Sequence, residues 1–213
     1  MEKLCRAYWP PLYSFARYQG IPPADAEDLT QSFFEDLLSR GAIARADASR
    51  GRFRSFLLTS FKNHRLRLLN AANRIKRGGG NSFVSLEAIQ EVESQFQPEQ
   101  DQNCSPEEWY DRQWALGLLK KVVAALRCEY ERIGKGDLFD ELRSALWGGG
   151  GNVAYAQIAE RLGMTEGAVK IAAYRLRRRF GERLQSEVAQ TVLDPDEIED
   201  EIRYLLSRVG GVT

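Results

Sequence analysis

Residues 153–180 read VAYAQIAERLGMTEGAVKIAAYRLRRRF, and their spacing predicts two short helices, 153–162 and 166–184, joined by Gly163-Met164-Thr165. Ile158, Ala159 and Leu162 recur at helical spacing and face Val169, Ala172 and Leu176 across the turn. Ala159 and Ala168 permit close crossing, Gly163 supplies the left-handed residue the turn needs, and Thr165 is placed to cap the second helix. The outward positions of that helix are Glu166, Gly167, Lys170, Ala173, Tyr174, Arg177 and Arg178. Lysine and arginine on such a face can meet phosphates or guanine edges, with the first turn directed into a major groove. The bland alternative is a helical hairpin with a basic, solvated face.

The rest of the chain also reads as helix. Strand signals are nearly absent, because no stretch alternates apolar and polar residues for long. Leu4, Tyr8, Leu12 and Phe15 form a first stripe. Pro22-Pro23 opens a second helix that carries Asp25, Glu27 and Asp28 in its first turns, then Phe33, Phe34, Leu37 and Leu38, with Gly41 as its stop. After a loop at 46–51, a third stripe runs Phe53, Phe56, Leu57, Phe61, Leu68, Ala72 and Ile75, with Arg54, Lys62, Arg65, Arg67, Arg74 and Lys76 on the other face. Residues 81–106 are rich in Gln, Glu, Ser and Pro and read as a linker. A second body begins at Trp109, a further helix covers about 137–147, and the tail from Asp194-Pro195 carries Ile198, Ile202, Leu205, Leu206 and Val209 as an apolar stripe beside packed acids. The expected fold is all-α, with two helical domains joined by an acidic linker.

Charge sharpens the division. Thirty Lys/Arg balance thirty Asp/Glu, which by itself argues against a nucleic-acid partner. The distribution reverses that reading: residues 45–77 hold ten basic residues and one acid, residues 78–113 hold eight acids and one base, and residues 153–184 hold seven bases and three acids. Two basic helical blocks separated by an acidic one suggest two polyanion-binding surfaces.

Other classes fall away. Gly78-Gly79-Gly80 and Gly148 to Gly151 neither follow a strand nor lead into Gly-Lys-Ser/Thr, so they are not phosphate loops. The single histidine, His64, lies on the basic helix and reads as a surface residue, which leaves no Ser/His/Asp set and no multi-histidine metal site. Neither catalysis nor a cofactor or metal is expected. Three widely spaced cysteines and a start without an apolar leader fit a reduced, cytoplasmic protein with no membrane segment.

Taken together, three stretches resemble the extracytoplasmic-function (group four) sigma factors of bacterial RNA polymerase. Residues 155–170 look like the family's promoter-reading helix-turn-helix, residues 25–31 like its acidic polymerase-binding helix, and residues 53–63 like its −10 melting segment. The resemblance implies sigma domain two at 1–80, an acidic linker at 81–108, sigma domain four at 109–184 and an acidic C-terminal extension at 185–213. It implies polymerase contacts through Asp25, Glu27, Asp28, Gln31 and Glu35 to the β′ clamp, with the β flap as a further docking surface. It implies −10 element contacts through Arg52, Phe53, Phe56, Lys62, Asn63 and Arg67, and −35 element contacts through Thr165, Glu166, Lys170, Tyr174, Arg175, Arg177 and Arg178. Phe53 and Phe56 equally suit plain core packing, whereas the Asn63 amide adjoining the stripe calls for a partner. The family usually has tryptophan where Phe56 stands and often arginine where Ala172 stands. The expected partners are core RNA polymerase and promoter DNA in the bacterial nucleoid, with an anti-sigma factor or kinase as regulator. A stand-alone helix-turn-helix regulator is the alternative. The tail, being acidic and too apolar on one side to float free, is expected to dock on the C-terminal domain or on the basic 53–76 helix.

Overall fold

The computed structural model describes residues 2–39, 53–72, 104–147, 155–192 and 195–209, and every regular element among them is helical. The helices are α1 (Glu2–Tyr18), α2 (Pro23–Ser39), α3 (Phe53–Ala72), α4 (Pro106–Arg132), α5 (Gly136–Leu142), α6 (Tyr155–Leu162), α7 (Glu166–Ala189) and α8 (Ile198–Val209). A 3₁₀ segment at Arg143–Trp147 follows α5, and another at Pro195–Glu197 precedes α8. The expected loop at 46–51, the glycine runs at 78–80 and 148–151, Arg52, and most of the linker lie outside the described residues.

The chain divides into two compact units, residues 1–117 with 189–213 and residues 118–188. In the first unit, α1, α2, α3 and the start of α4 share one aromatic core. Tyr8, Trp9, Leu12, Tyr13 and Phe15 come from α1, Leu29, Phe33, Phe34 and Leu37 from α2, and Leu57 and Phe61 from α3, all buried. Phe61 meets Phe15 and Phe33 edge-on, with centroids 6.1 and 5.3 Å apart. Tyr18 stacks on Trp109 at 5.0 Å and Tyr8 on Trp114 at 6.1 Å. Such pairs add about 0.5–1.5 kcal/mol each beyond the area they bury.

These stacks correct the expected division at Trp109. Trp109, Tyr110 and Trp114 belong to the first unit, and the boundary falls inside α4. The helix also begins earlier than the apolar pattern suggests. Ser105 Oγ accepts from the Glu108 amide at 3.2 Å, and the Glu108 carboxylate accepts from the Ser105 amide at 3.0 Å, a reciprocal cap with Pro106 at the first helical position.

The third stripe is corrected too. Leu57 and Phe61 are buried as expected, but Leu68 is exposed, as are Leu66 and Leu69, so the buried face of α3 ends near His64.

The second unit packs Leu119, Val122 and Leu126 of α4 with Phe139 and Leu142 of α5, Ala145 of the 3₁₀ segment, Ile158 and Ala159 of α6, and Val169, Ala173, Leu176, Leu184 and Val188 of α7. Gly134, at φ 68°, turns the chain out of α4 in the left-handed conformation. The buried Phe139 and Leu142 make residues 136–147 part of this core.

Candidate functional site

Two exposed faces of the first unit carry the groups expected to bind. On α2, Pro23 opens the helix, and the Ala26 amide donates to the Pro22 carbonyl at 2.9 Å. Asp25 and Asp28 are exposed and Glu27 half-exposed at the positive end of the helix dipole. Gln31 differs: it is buried, its amide 3.4 Å from Glu35 Oε1, so it supports the acidic face from within.

On α3, Phe56, Asn63 and Arg67 are seven and eleven residues apart, which at about 3.6 residues per turn places them on one stripe. Phe56 is half-buried, and its ring lies 6.0 Å from that of Phe53, which in turn meets Tyr8 at 5.5 Å. Both rings are therefore partly core and partly accessible. Asn63 is exposed, with its amide open to solvent. Lys62 pairs with Glu107, and Arg67 with Asp36 at 2.6 Å. Lys62 also holds the Glu107 carboxyl below its usual range by hydrogen bonding to it.

Two assignments on this helix are overturned. His64 is buried, with Nε2 3.0 Å from Ser32 Oγ, Nδ1 3.3 Å from Asp36 Oδ2, and its ring against Phe33. It joins α3 to α2 rather than facing solvent. Arg54, expected on the basic solvent face, is only 3% exposed. Its Nε donates to Glu201 Oε1 at 2.7 Å and its Nη1 to Asp111. The Tyr204 ring lies 4.8 Å and the Trp114 ring 5.9 Å from the guanidinium carbon. Burial alone would lower the guanidinium pKa, but the Glu201 hydrogen bond and the Asp111 charge outweigh it and hold the group above its ordinary value. Glu201, Asp111 and Tyr204 carried no signal in the sequence, where Glu201 reads as one acid among several in a first turn.

In the second unit, α6 and α7 meet through the turn the sequence specifies. Gly163 adopts φ 62°, the Met164 amide donates to the Ala159 carbonyl at 2.9 Å, and the Ala168 amide donates to Thr165 Oγ1 at 3.2 Å. Ala173, expected outward, is buried, because it lies on the same side as Val169 and Leu176. Glu166, Lys170, Tyr174, Arg175 and Arg178 are exposed. Lys170 pairs with Glu166 at 2.6 Å, which raises its pKa, and Arg178 pairs with Glu182 at 3.3 Å. Arg175 has no carboxylate within ion-pair distance among the described residues. Arg177 is exposed as well, and its Nε donates to the Ala145 carbonyl at 2.7 Å. Ile171, absent from the expected set, exposes 54% of its surface beside Lys170 and Tyr174. An apolar side chain on that face suits a thymine methyl group.

Among the described residues, no group of three or more His, Cys, Asp or Glu is arranged to hold a metal ion, and no helix is long and apolar enough to cross a membrane.

Residues 4–75 match the Sigma-70 region 2 family. The match runs from the first turn of α1 through the whole of α2 and α3. No curated protein and no solved structure matches the chain.

Proposed function

We propose that the protein is a sigma factor of the extracytoplasmic-function type, which binds core RNA polymerase and directs initiation at a specific set of promoters. The observation that carries this reading is the region 2 match over α1–α3, on a body whose α2 exposes Asp25 and Asp28 and whose α3 exposes Asn63 and Arg67. An acidic helix suits a basic docking surface such as the β′ clamp, and complementary charge speeds encounter. On α3, half-buried rings beside an open amide and guanidinium suit separated single-stranded bases, which stack on aromatics and can be held when flipped.

The second unit takes the role of domain four. Its support is a turn with a left-handed glycine, a threonine cap, and an exposed face of Lys170, Tyr174, Arg175 and Arg178 for the −35 element. Thr165 and Glu166 stand at the start of that helix, and Arg177 acts there as a brace. The segment 81–108 is acidic, the C-terminal extension belongs to the first compact unit, and an anti-sigma factor or kinase is the expected regulator.

Charge reversal of Asp25 and Asp28 to lysine tests the first contact. Both side chains are exposed, so helix content should be unchanged while capture by immobilised core polymerase falls at least tenfold. Retained capture removes α2 as the docking helix.

A further inference from the structure

The cations along α7 divide by their partners. Lys170 pairs with Glu166, Arg178 with Glu182, Arg179 with Glu129 and Glu182, and Arg183 with Glu129. Arg177, like Arg175, has no carboxylate within ion-pair distance among the described residues. What sets Arg177 apart is that it is nevertheless held. Its Nε donates to the Ala145 carbonyl at 2.7 Å and its Nη2 to the Tyr155 hydroxyl at 3.4 Å. Both acceptors are neutral, so the guanidinium is fixed in place with its charge uncompensated. They take one edge of the fork. The other edge, shared by Nη1 and Nη2, keeps N–H donors that match two oxygens of a phosphate.

The supports are themselves anchored. Ala145 is buried in the 3₁₀ segment, and Trp147 of the same segment meets Phe180 of α7 edge-on at 5.8 Å. Tyr155 opens α6, and it also lies near Lys170, whose ammonium is held above its ordinary pKa first by Glu166 and more weakly by this phenol. Arg177 follows Lys170 by seven residues and Tyr174 by three, so at about 3.6 residues per turn the three exposed side chains share one edge of α7.

We propose that Arg177 and Tyr155 form a preset phosphate clamp at the edge of the helix-turn-helix, positioned by the 3₁₀ segment Arg143–Trp147. The proposal rests on the reading that this unit meets duplex DNA, and it assigns Arg177 to the sugar-phosphate backbone rather than to −35 bases. An arginine already held in one geometry loses less side-chain freedom on binding than a loose one. Lys170 and Arg178 must exchange a carboxylate for a phosphate, whereas Arg177 gives up nothing. The Tyr155 hydroxyl accepts from Arg177 and keeps its own proton to donate to the same phosphate.

The test uses the full chain and two unrelated double-stranded DNA 30-mers, with affinity followed against salt. Arg177→Gln should bind both duplexes about fivefold more weakly at low salt, with a log–log salt slope shallower by about one phosphate contact. Arg177→Lys should keep the slope but lose about threefold, because a point charge replaces the fork. Tyr155→Phe should lose about twofold with the slope unchanged, since one hydroxyl goes and the cation stays. If Arg177 only braces the unit, Arg177→Gln lowers the melting temperature and leaves the salt slope as it was, which overturns the proposal. So does a loss confined to one of the two sequences, which marks a base contact, or a wild-type chain that ignores both duplexes. Should Arg177→Gln fail to fold, a Tyr155→Phe chain that binds like wild type overturns it as well. Failure of the sigma-factor reading looks different: the variants behave on DNA as described, but the wild-type chain starts no promoter-specific transcription with core polymerase.

Discussion

Replacing Arg54 with methionine should cost the first unit about 3–5 kcal/mol. The guanidinium is 4% exposed at its side chain and faces Glu201, 1% exposed, and Asp111, 14% exposed. Methionine fills much of the volume but leaves both carboxylates without their cation, and breaking a buried pair from one side is worth about that range. Since small domains are stable by only about 5–15 kcal/mol, the variant should sit near the edge of folding. Glu201→Gln should cost only about 1–2 kcal/mol, because a neutral acceptor replaces a charged one and Asp111 still neutralises Arg54. Adding Glu201→Leu to Arg54→Met should recover at least ~1 kcal/mol relative to the sum of the single changes, since apolar replacement of both partners is often near neutral. Urea unfolding followed by tryptophan emission reads this directly, because Trp9, Trp109 and Trp114 are all buried in the first unit. An Arg54→Met cost below ~1 kcal/mol, or strict additivity with Glu201, would refute the reasoning that a buried charge cluster holds α8.

Three further outcomes are expected. Gly163→Ala should destabilise the second unit by the ~1–2 kcal/mol of a left-handed alanine, although a Cβ there meets nothing within 4 Å, and Thr165→Ala should cost ~1 kcal/mol by loss of its cap; calorimetry measures both. The Glu108 carboxyl is held below its usual 4.5 by the Ser105 amide and hydroxyl, so its contribution is present above that value and lost as pH falls through the lower folded one; amide exchange at the start of α4 should rise on acidification, and Ser105→Ala should flatten that dependence. Lys170→Ala should weaken promoter binding uniformly and shallow the salt slope by about one contact, whereas Ile171→Ala should cost about 0.8 kcal/mol, the worth of one buried methyl, at one thymine position and nothing where uracil replaces it; equal effects across a promoter library would contradict the assignment.

What was legible in the sequence is the local chemistry. Gly163 and Thr165 act through bonds to residues a few positions away, so their types and spacing suffice to specify the turn. The start of α4 was equally readable from Ser105-Pro106-Glu107-Glu108, but apolar periodicity alone points to Trp109 and hides it. The fates of Arg54, His64 and Glu201 were not readable. A helical pattern assigns charged residues to the outer face, and only contacts between elements far apart in sequence decide that Arg54 turns inward and that one of several tail acids is buried with it. Leu68 shows the same limit in the other direction, since an apolar position is buried only when another element reaches it. The two expected homes for the tail were the C-terminal domain and the basic helix. The Arg54–Glu201 pair is with the latter.

The most direct test of the account is reconstitution of the full chain with bacterial core RNA polymerase on genomic DNA, followed by sequencing of the 5′ ends of the transcripts. The account predicts a small set of discrete start sites sharing −10 and −35 motifs, abolished by the Asp25 and Asp28 reversals and shifted in sequence preference by changes at Asn63. Transcripts no different from those of core polymerase alone, with promoter DNA bound equally well in the absence of polymerase, would contradict it.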